Sequence, residues 1–324
     1  MTKETMPENS STPGKPAFER DLLVQLSRRW GKRVAVKKDE LDLDGHFDPD
    51  RPDFPERLVP FRDIDAFAEA DVDARQRILS ASWIAYNMKT TAIENEIILP
   101  ACRLMLDERV PVRHDEAAVS AIHQTIIDEH YHILMCHNAV GVTRRRRDLG
   151  SLHFDPCDWS VVTRREEYLA GLTGLRRDLS DVAFALAAET TINAFLSGLS
   201  SDSGIQPMNR ITVDMHRRDE SGHAVIFREL TVELYRGLAP GERDFFREAL
   251  AAGLRAFGAP DLAPWVAVAA EGELRVTPEE LVGAGRRSPG PGRDTGPLQV
   301  LLDDLGLDQG EAEGILSTIA GSGR

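Results

Sequence analysis

Two five-residue runs constrain this chain more than anything else in it: Asp128-Glu129-His130-Tyr131-His132 and Asp219-Glu220-Ser221-Gly222-His223. In each, a glutamate is followed three residues later by a histidine. On a helix that spacing puts both side chains on one face, one turn apart, where they can close on a single metal ion. Two such pairs, each joined by a lone glutamate on another apolar helix, form the pattern that holds two iron or manganese ions inside a four-helix bundle. Lone glutamates stand at Glu94 and Glu189.

Glu189 lies in an apolar run with no other charge between Asp181 and Leu199. An unpaired carboxylate buried there costs several kcal/mol or takes up a proton, and a metal ion offsets that cost. A wet edge or a buried arginine partner is the alternative. Glu94 is followed by Ile97 and Ile98, with Pro100 beyond. Glu96 competes with it: residues two apart on a helix point about 200° from each other, so only one of them faces the bundle axis. Spacing leaves that choice open.

Ile122, Ile126 and Glu129 fall on one stripe, which His132 extends, so the first pair points inward. Asp128 and His130 fall on other faces, as solvated groups or as groups that touch a ligand from behind. Tyr131, next to His132, points away from the ligand face, which argues against a radical tyrosine. Cys136, one turn beyond His132, lies on that face. His216 precedes Glu220 and His223 at i, i+4 and i+7, so a third imidazole can reach the site. A donor set of four glutamates and three histidines suits redox-active iron better than a purely oxygen-donor site would.

Taken together, several motifs resemble the AurF-type p-aminobenzoate N-oxygenases and their relatives in chloramphenicol biosynthesis, di-iron enzymes that oxidise aryl amines to nitro compounds. They are Trp83-Ile84-Ala85-Tyr86-Asn87, Glu94, the first five-residue run, Glu189-Thr190-Thr191-Ile192-Asn193-Ala194, Ile205-Gln206-Pro207-Met208, and His216 through His223. The resemblance covers roughly residues 59–256. It implies an all-α, ferritin-like or ribonucleotide-reductase-like di-iron four-helix bundle with additional flanking helices. It also implies that Glu94, Glu129, His132, Glu189, His216, Glu220 and His223 are the iron ligands, which selects Glu94 over Glu96. Tyr86 and Asn193 become candidate pocket residues.

Lys89 and Asn87 are polar residues one to two turns before a ligand, the right distance to line a substrate pocket. In aminobenzoate-oxidising members an arginine is expected at the position of Lys89, meeting the substrate carboxylate. Lysine keeps the charge but loses the bidentate fork. Ile93 replaces a threonine expected in those members. The activity implied is O2-dependent oxidation of an aryl amine to hydroxylamine, nitroso and nitro products, in a homodimer. Two alternatives keep the same fold: a di-iron hydroxylase or desaturase acting on a carrier-bound chain, or a ferroxidase. His216 and the length of the chain weigh against the ferroxidase.

The rest of the sequence sets limits. A net charge of −14 argues against nucleic acid or an anionic membrane as partner. The four consecutive arginines, 144–147, lack interleaved aromatics and read as a solvated loop or helix terminus. No apolar run is expected to span a bilayer, and the start lacks a secretory apolar core. Three cysteines, Cys102, Cys136 and Cys157, read as reduced thiols in a cytoplasmic protein. No Gly-rich phosphate loop and no flavin or nicotinamide fingerprint is found, so electrons come from an external donor, a separate reductase.

Residues 1–17 are expected as a disordered tail, 18–270 as the bundle and 271–324 as a C-terminal extension packed on it or trailing from it. Residues 33–60 are expected to wrap the domain as an extended segment. The acids at 40, 42 and 44 read as a solvated turn in place of a calcium loop.

Overall fold

The computed structural model of the chain describes residues 17–150, 152–287 and 296–321, and among these there are helices and loops with no strand. The expected tail, residues 1–16, and the Pro/Gly break at 288–292 lie outside the described residues. The α-helices in chain order are α1 (Ala17–Arg33), α2 (Asp65–Ala68), α3 (Val72–Ile93), α4 (Leu99–Leu106), α5 (Glu116–Arg147), α6 (Ser160–Leu169), α7 (Gly174–Ser200), α8 (Pro207–Gly237), α9 (Pro240–Gly258), α10 (Leu262–Glu271), α11 (Pro278–Arg287), α12 (Gly296–Asp304) and α13 (Gln309–Gly321).

Four long helices, α3, α5, α7 and α8, make the bundle. α3 packs on α5, α5 on α8, and α8 on α7, while the residues after α3 close the ring against α7. Their starts follow from the sequence. The Asp71 and Asp115 side chains accept the backbone N–H of Ala74 and Ala118, capping α3 and α5. α7 begins at Gly174, at φ +57°, and α8 begins on Pro207, where a missing N–H costs nothing.

α3 does not simply stop at Ile93. Residues Glu94–Ile98 form one π turn before the chain runs on into α4. Pro100 gives the local reason, since it has no N–H to offer the carbonyl of Glu96, four residues back.

α7 is the innermost helix. Residues 178–190 are buried without interruption. By length and mean hydropathy (1.4) this helix passes as a membrane span, contrary to the expectation that no run would. Its most apolar window is 61% buried by the rest of the protein, so its apolarity is used up by a core that surrounds it. Small residues let α9 come close: a Cβ on Gly253 would sit 3.1 Å from Ala187 Cβ and 3.3 Å from the Phe184 backbone.

The flanking parts hold the bundle from outside. Residues 34–64 wrap it in short 3-10 turns and loops. The buried Asp53 accepts Ser80 Oγ (2.7 Å) and Gln76 Nε2 (3.1 Å) from α3 and Arg147 Nε (2.9 Å) from α5. Its carbonyl takes Asn209 Nδ2 of α8 (2.7 Å). The arginine run is the last turn of α5, where Arg145 and Arg146 pair with Asp44 of the acidic turn. α12 and α13 lie on α7 and α9, with Leu298, Leu301 and Leu302 in the common core.

Gly253→Leu should lower stability by about 1–3 kcal/mol through overpacking, seen as a drop in thermal midpoint. Gly198→Ala, on α7 with open space at its Cβ, should leave the midpoint unchanged or raise it.

Candidate metal centre

Each bundle helix delivers carboxylates or imidazoles to one buried point. α5 brings Glu129 and His132, α8 brings His216, Glu220 and His223, α7 brings Glu189, and the π turn brings Glu94. All seven are 4% exposed or less, too dry for ionised groups without a partner. Glu96 points outward, where it accepts Asn95 Nδ2. His130 is exposed and lines an outer groove of about 390 Å³.

Ligand-capable atoms fall into two groups of four, each within 4.8 Å of one another: Glu94, His132, His216 and Glu220, and Glu129, His132, Glu220 and His223. His216 Nε2 is 3.0 Å from Glu220 Oε1 and 3.2 Å from Glu94 Oε1. His223 Nδ1 is 2.8 Å from Glu129 Oε1, and His132 Nδ1 is 3.2 Å from Glu129 Oε2. Glu189 lines the same small cavity, of about 30 Å³, with Glu94, Glu129, His216 and Glu220. No arginine pairs with Glu189 among the described residues; the buried Arg165 serves Asp181, two turns earlier.

Behind the site the two five-residue runs cross over. His223 Nε2 lies 3.2 Å from Asp128 Oδ2, and His132 Nε2 lies 3.3 Å from Asp219 Oδ2. Each aspartate thus takes the back of the other helix's imidazole. With Nε2–H donated to a carboxylate, the Nδ1 lone pair of both rings faces the site.

The aspartates are held in turn by the N-terminal segment. Trp30 Nε1 donates to both oxygens of Asp128 at 2.9 Å, and the Ala35 N–H donates to Asp219 at 3.0 Å. Arg33 lies over Asp219 at 3.7 Å and occupies the space that a side chain at Gly222 would need. Asp219 and this three-residue clamp escape a reading of the sequence, because both aspartates point away from their own helix's ligands. The adjacent Asp-Glu in each run is the signal that could have found Asp219.

The electrostatics show what the protein groups lack when alone. Burial pushes the Glu94 carboxyl up to about 7, against the pull of His216. Burial, then the charges of Glu220 and Glu129, hold Glu189 well above the usual carboxylate range. For Glu220 burial acts upward too, but hydrogen bonds from His132, His216 and His223 outweigh it and leave the group well below that range. Burial would lower the three imidazoles, yet neighbouring carboxylates raise all of them. Glu94 Oε2 and Glu189 Oε2 are buried with no hydrogen-bond partner, while Glu94 Oε1, Glu129 Oε1 and His223 Nδ1 are buried and meet only the ion-pair partners given above. Two divalent cations would balance four carboxylates with every imidazole neutral and engage these atoms, so the donor set fits a two-metal centre.

A family model described as "P-aminobenzoate N-oxygenase AurF" matches residues 17–291. A 4-aminobenzoate N-oxygenase from Streptomyces thioluteus is 32% identical over 292 residues, 88% of this chain and 86% of the relative. The chain belongs to the AurF family. It is accordingly an oxygenase of a di-iron family, and its all-helical bundle with buried His and Glu groups that could hold a metal ion is compatible with a di-iron bundle.

The pocket candidates fare differently in this AurF-family chain. Tyr86 stacks on Phe195 (ring centroids 5.5 Å apart), bridging α3 and α7, and its hydroxyl is buried. Asn193 is half-buried and touches Ser221 Oγ at 3.4 Å. Asn87 turns back to the carbonyl of Trp83. Lys89 does not line the cavity; its Nζ is 2.6 Å from Asp261 Oδ2 at the start of α10. Cys136 is buried, and Cys102 and Cys157 are also free thiols.

Loss of the Asp128 or Asp219 carboxylate should weaken metal binding about 10–100-fold. Asp219→Asn and Trp30→Phe, measured by competition with a chelator, should both shift toward release, the second by less. Loading with ferrous iron should raise the thermal midpoint of the unsubstituted protein, and Glu189→Ala should shrink that rise.

Proposed function

We propose that this chain is a di-iron aryl amine N-oxygenase, with Glu94, Glu129, His132, Glu189, His216, Glu220 and His223 as the iron ligands. The observation that carries the reading is the convergence of four glutamates and three histidines in a dry bundle core, in a chain whose relative is a 4-aminobenzoate N-oxygenase. When bound, a pair of irons supplies the means to reduce O2 with two electrons and to pass one oxygen atom to a substrate. The first oxidation balances as ArNH2 + O2 + 2 e⁻ + 2 H⁺ → ArNHOH + H2O. Further rounds carry the nitrogen to nitroso and nitro. The electrons come from a separate reductase, since the chain carries no flavin or nicotinamide fingerprint.

The chain's own residues contribute in three ways. Asp128 and Asp219 fix the ring orientation of His223 and His132, so that the donor atoms are set before any ion arrives. Ile93, Ile98, Ala188 and Ile192 line the cavity next to the glutamates and keep bulk water from the oxidant. Thr90 is the uncharged polar group on that wall. Its hydroxyl can orient a nitrogen held against the centre.

The test is turnover. Protein loaded with ferrous iron without air is mixed with oxygen, a reductant and a panel of aryl amines, and products are read by mass spectrometry. Oxygen incorporated at nitrogen is the expected result, abolished in Glu220→Ala together with iron binding. Oxygen consumed with every amine left intact, while a carrier-bound acyl chain is hydroxylated or ferrous iron alone turns over, would sink the proposal.

A further inference from the structure

We propose that electrons enter the metal centre through Trp30, delivered by an acidic one-electron carrier protein that docks on the basic surface around it. This deepens the reading of the seven residues as an iron site served by a separate reductase, and rests on it.

The first support is a continuous hydrogen-bonded path. Trp30 Nε1 is 2.9 Å from both oxygens of Asp128, and Asp128 Oδ2 is 3.2 Å from His223 Nε2. His223 presents its other nitrogen to the site, 2.8 Å from Glu129 Oε1. Asp128 and His223 are buried while the indole is half-buried, so the path starts at the surface and ends on a candidate ligand. Electron tunnelling decays less steeply along bonds and hydrogen bonds than across a gap, and an indole offers a delocalised π system at the outer end. The matching path behind His132 has no such end. Asp219 is held there by the Ala35 backbone N–H and the Arg33 guanidinium, and no aromatic donor bonds to it among the described residues.

The second support is charge, and it is independent of the path. Residues 28–38 carry six cations, Arg28, Arg29, Lys32, Arg33, Lys37 and Lys38, and no acid, in a chain of net charge −14. All of them except Arg33 are exposed, and those exposed cations form no ion pair among the described residues. Lys37 Nζ stands 4.8 Å from the centre of the Trp30 ring, which sets positive charge on the indole itself. Fields at a protein surface fade within about 8 Å at physiological ionic strength, so this patch governs an encounter here more than the net charge does. It steers and orients a partner with an acidic face.

Each encounter moves one electron from the reduced carrier along Trp30, Asp128 and His223, and the carrier leaves oxidised by one electron. Two encounters supply both electrons of the first oxidation, with its protons taken from solvent. The indole is unchanged at the end of each transfer.

The experiment uses an acidic plant-type ferredoxin as the carrier and dithionite with methyl viologen as a small diffusible reductant. Iron-loaded, air-oxidised protein is mixed with either one, and the absorbance of the iron reports the rate of reduction. Arg28→Glu combined with Lys32→Glu should raise the ferredoxin concentration needed for half the limiting rate by at least about tenfold, without slowing reduction by viologen. Trp30→Phe should lower the limiting rate with ferredoxin by a larger factor than the rate with viologen. Equal slowing with both reductants would mean that the indole only holds Asp128, and would overturn the relay. Oxidised ferredoxin is also titrated calorimetrically into the protein as isolated, where binding should weaken with added salt and be lost in the double variant. No salt-sensitive binding, or tighter binding of duplex DNA or phosphatidylglycerol vesicles than of ferredoxin, overturns the docking surface. If viologen reduces no iron in the unsubstituted protein, the iron reading fails and takes the relay with it, while the titration still decides the docking surface.

Discussion

The structure turns on the burial of four carboxylates among three imidazoles at the centre of a helical bundle. Helices satisfy their own backbone, so the bundle core can be dry. A dry core makes every ionised side chain depend on a fixed counterpart. Here the counterparts are one another: Glu220 is drawn down by three histidines while Glu189 is driven up, first by burial and then by two carboxylate neighbours. The protein alone can settle this only with protons. Metal cations settle it with charge, which makes metal affinity and bundle stability one quantity.

That constraint reaches outward in layers. The imidazoles need their second nitrogens fixed, and Asp128 and Asp219 do this from the opposite helix of the α5–α8 pair. The aspartates are buried too, so they need donors, and Trp30, Arg33 and Ala35 provide them. Hence α1 and the residues after it, though far from the four bundle helices in chain order, complete the site. The arrangement is nearly twofold but not fully so. His132 and His223 offer Nδ1 to the site, whereas the unmatched His216 offers Nε2 to Glu220 and Glu94. α5 therefore brings one imidazole and α8 two, a chemical asymmetry that the repeat of Glu-x-x-His alone would not produce.

The features legible in the sequence are the local ones. Glu-x-x-His and the uncharged run around Glu189 are periodic features of single helices, and a 3.6-residue repeat is enough to place them. The crossing of Asp128 and Asp219 is not local. An aspartate one residue before a ligand points off its own helix's ligand face, and only the packing of α5 on α8 shows where it goes. Lys89 illustrates the converse. Its distance from Glu94 along α3 fits a pocket residue, but Asp261, 172 positions away, decides its direction. The apolarity of α7 is the other ambiguity. Composition cannot tell a helix surrounded by lipid from one surrounded by other helices, and the shell of α8, α9 and α12 around α7 supplies the answer.

The π turn at Glu94 is a departure from regularity that the site uses. Pro100 lies where a straight α-helix would need its N–H. Widening the helix over Glu94–Ile98 absorbs that loss and adds a residue to the turn. The extra residue rotates the next stretch of helix, so Ile97 and Ile98 are buried while Glu96 faces out. Glu94 is set at the first residue of the turn, where its side chain reaches His216 on α8. A regular helix through the same residues would advance each side chain by its ordinary 100° and aim Ile97 and Ile98 elsewhere. The irregular turn and the proline that imposes it are thus part of how the glutamate reaches the centre.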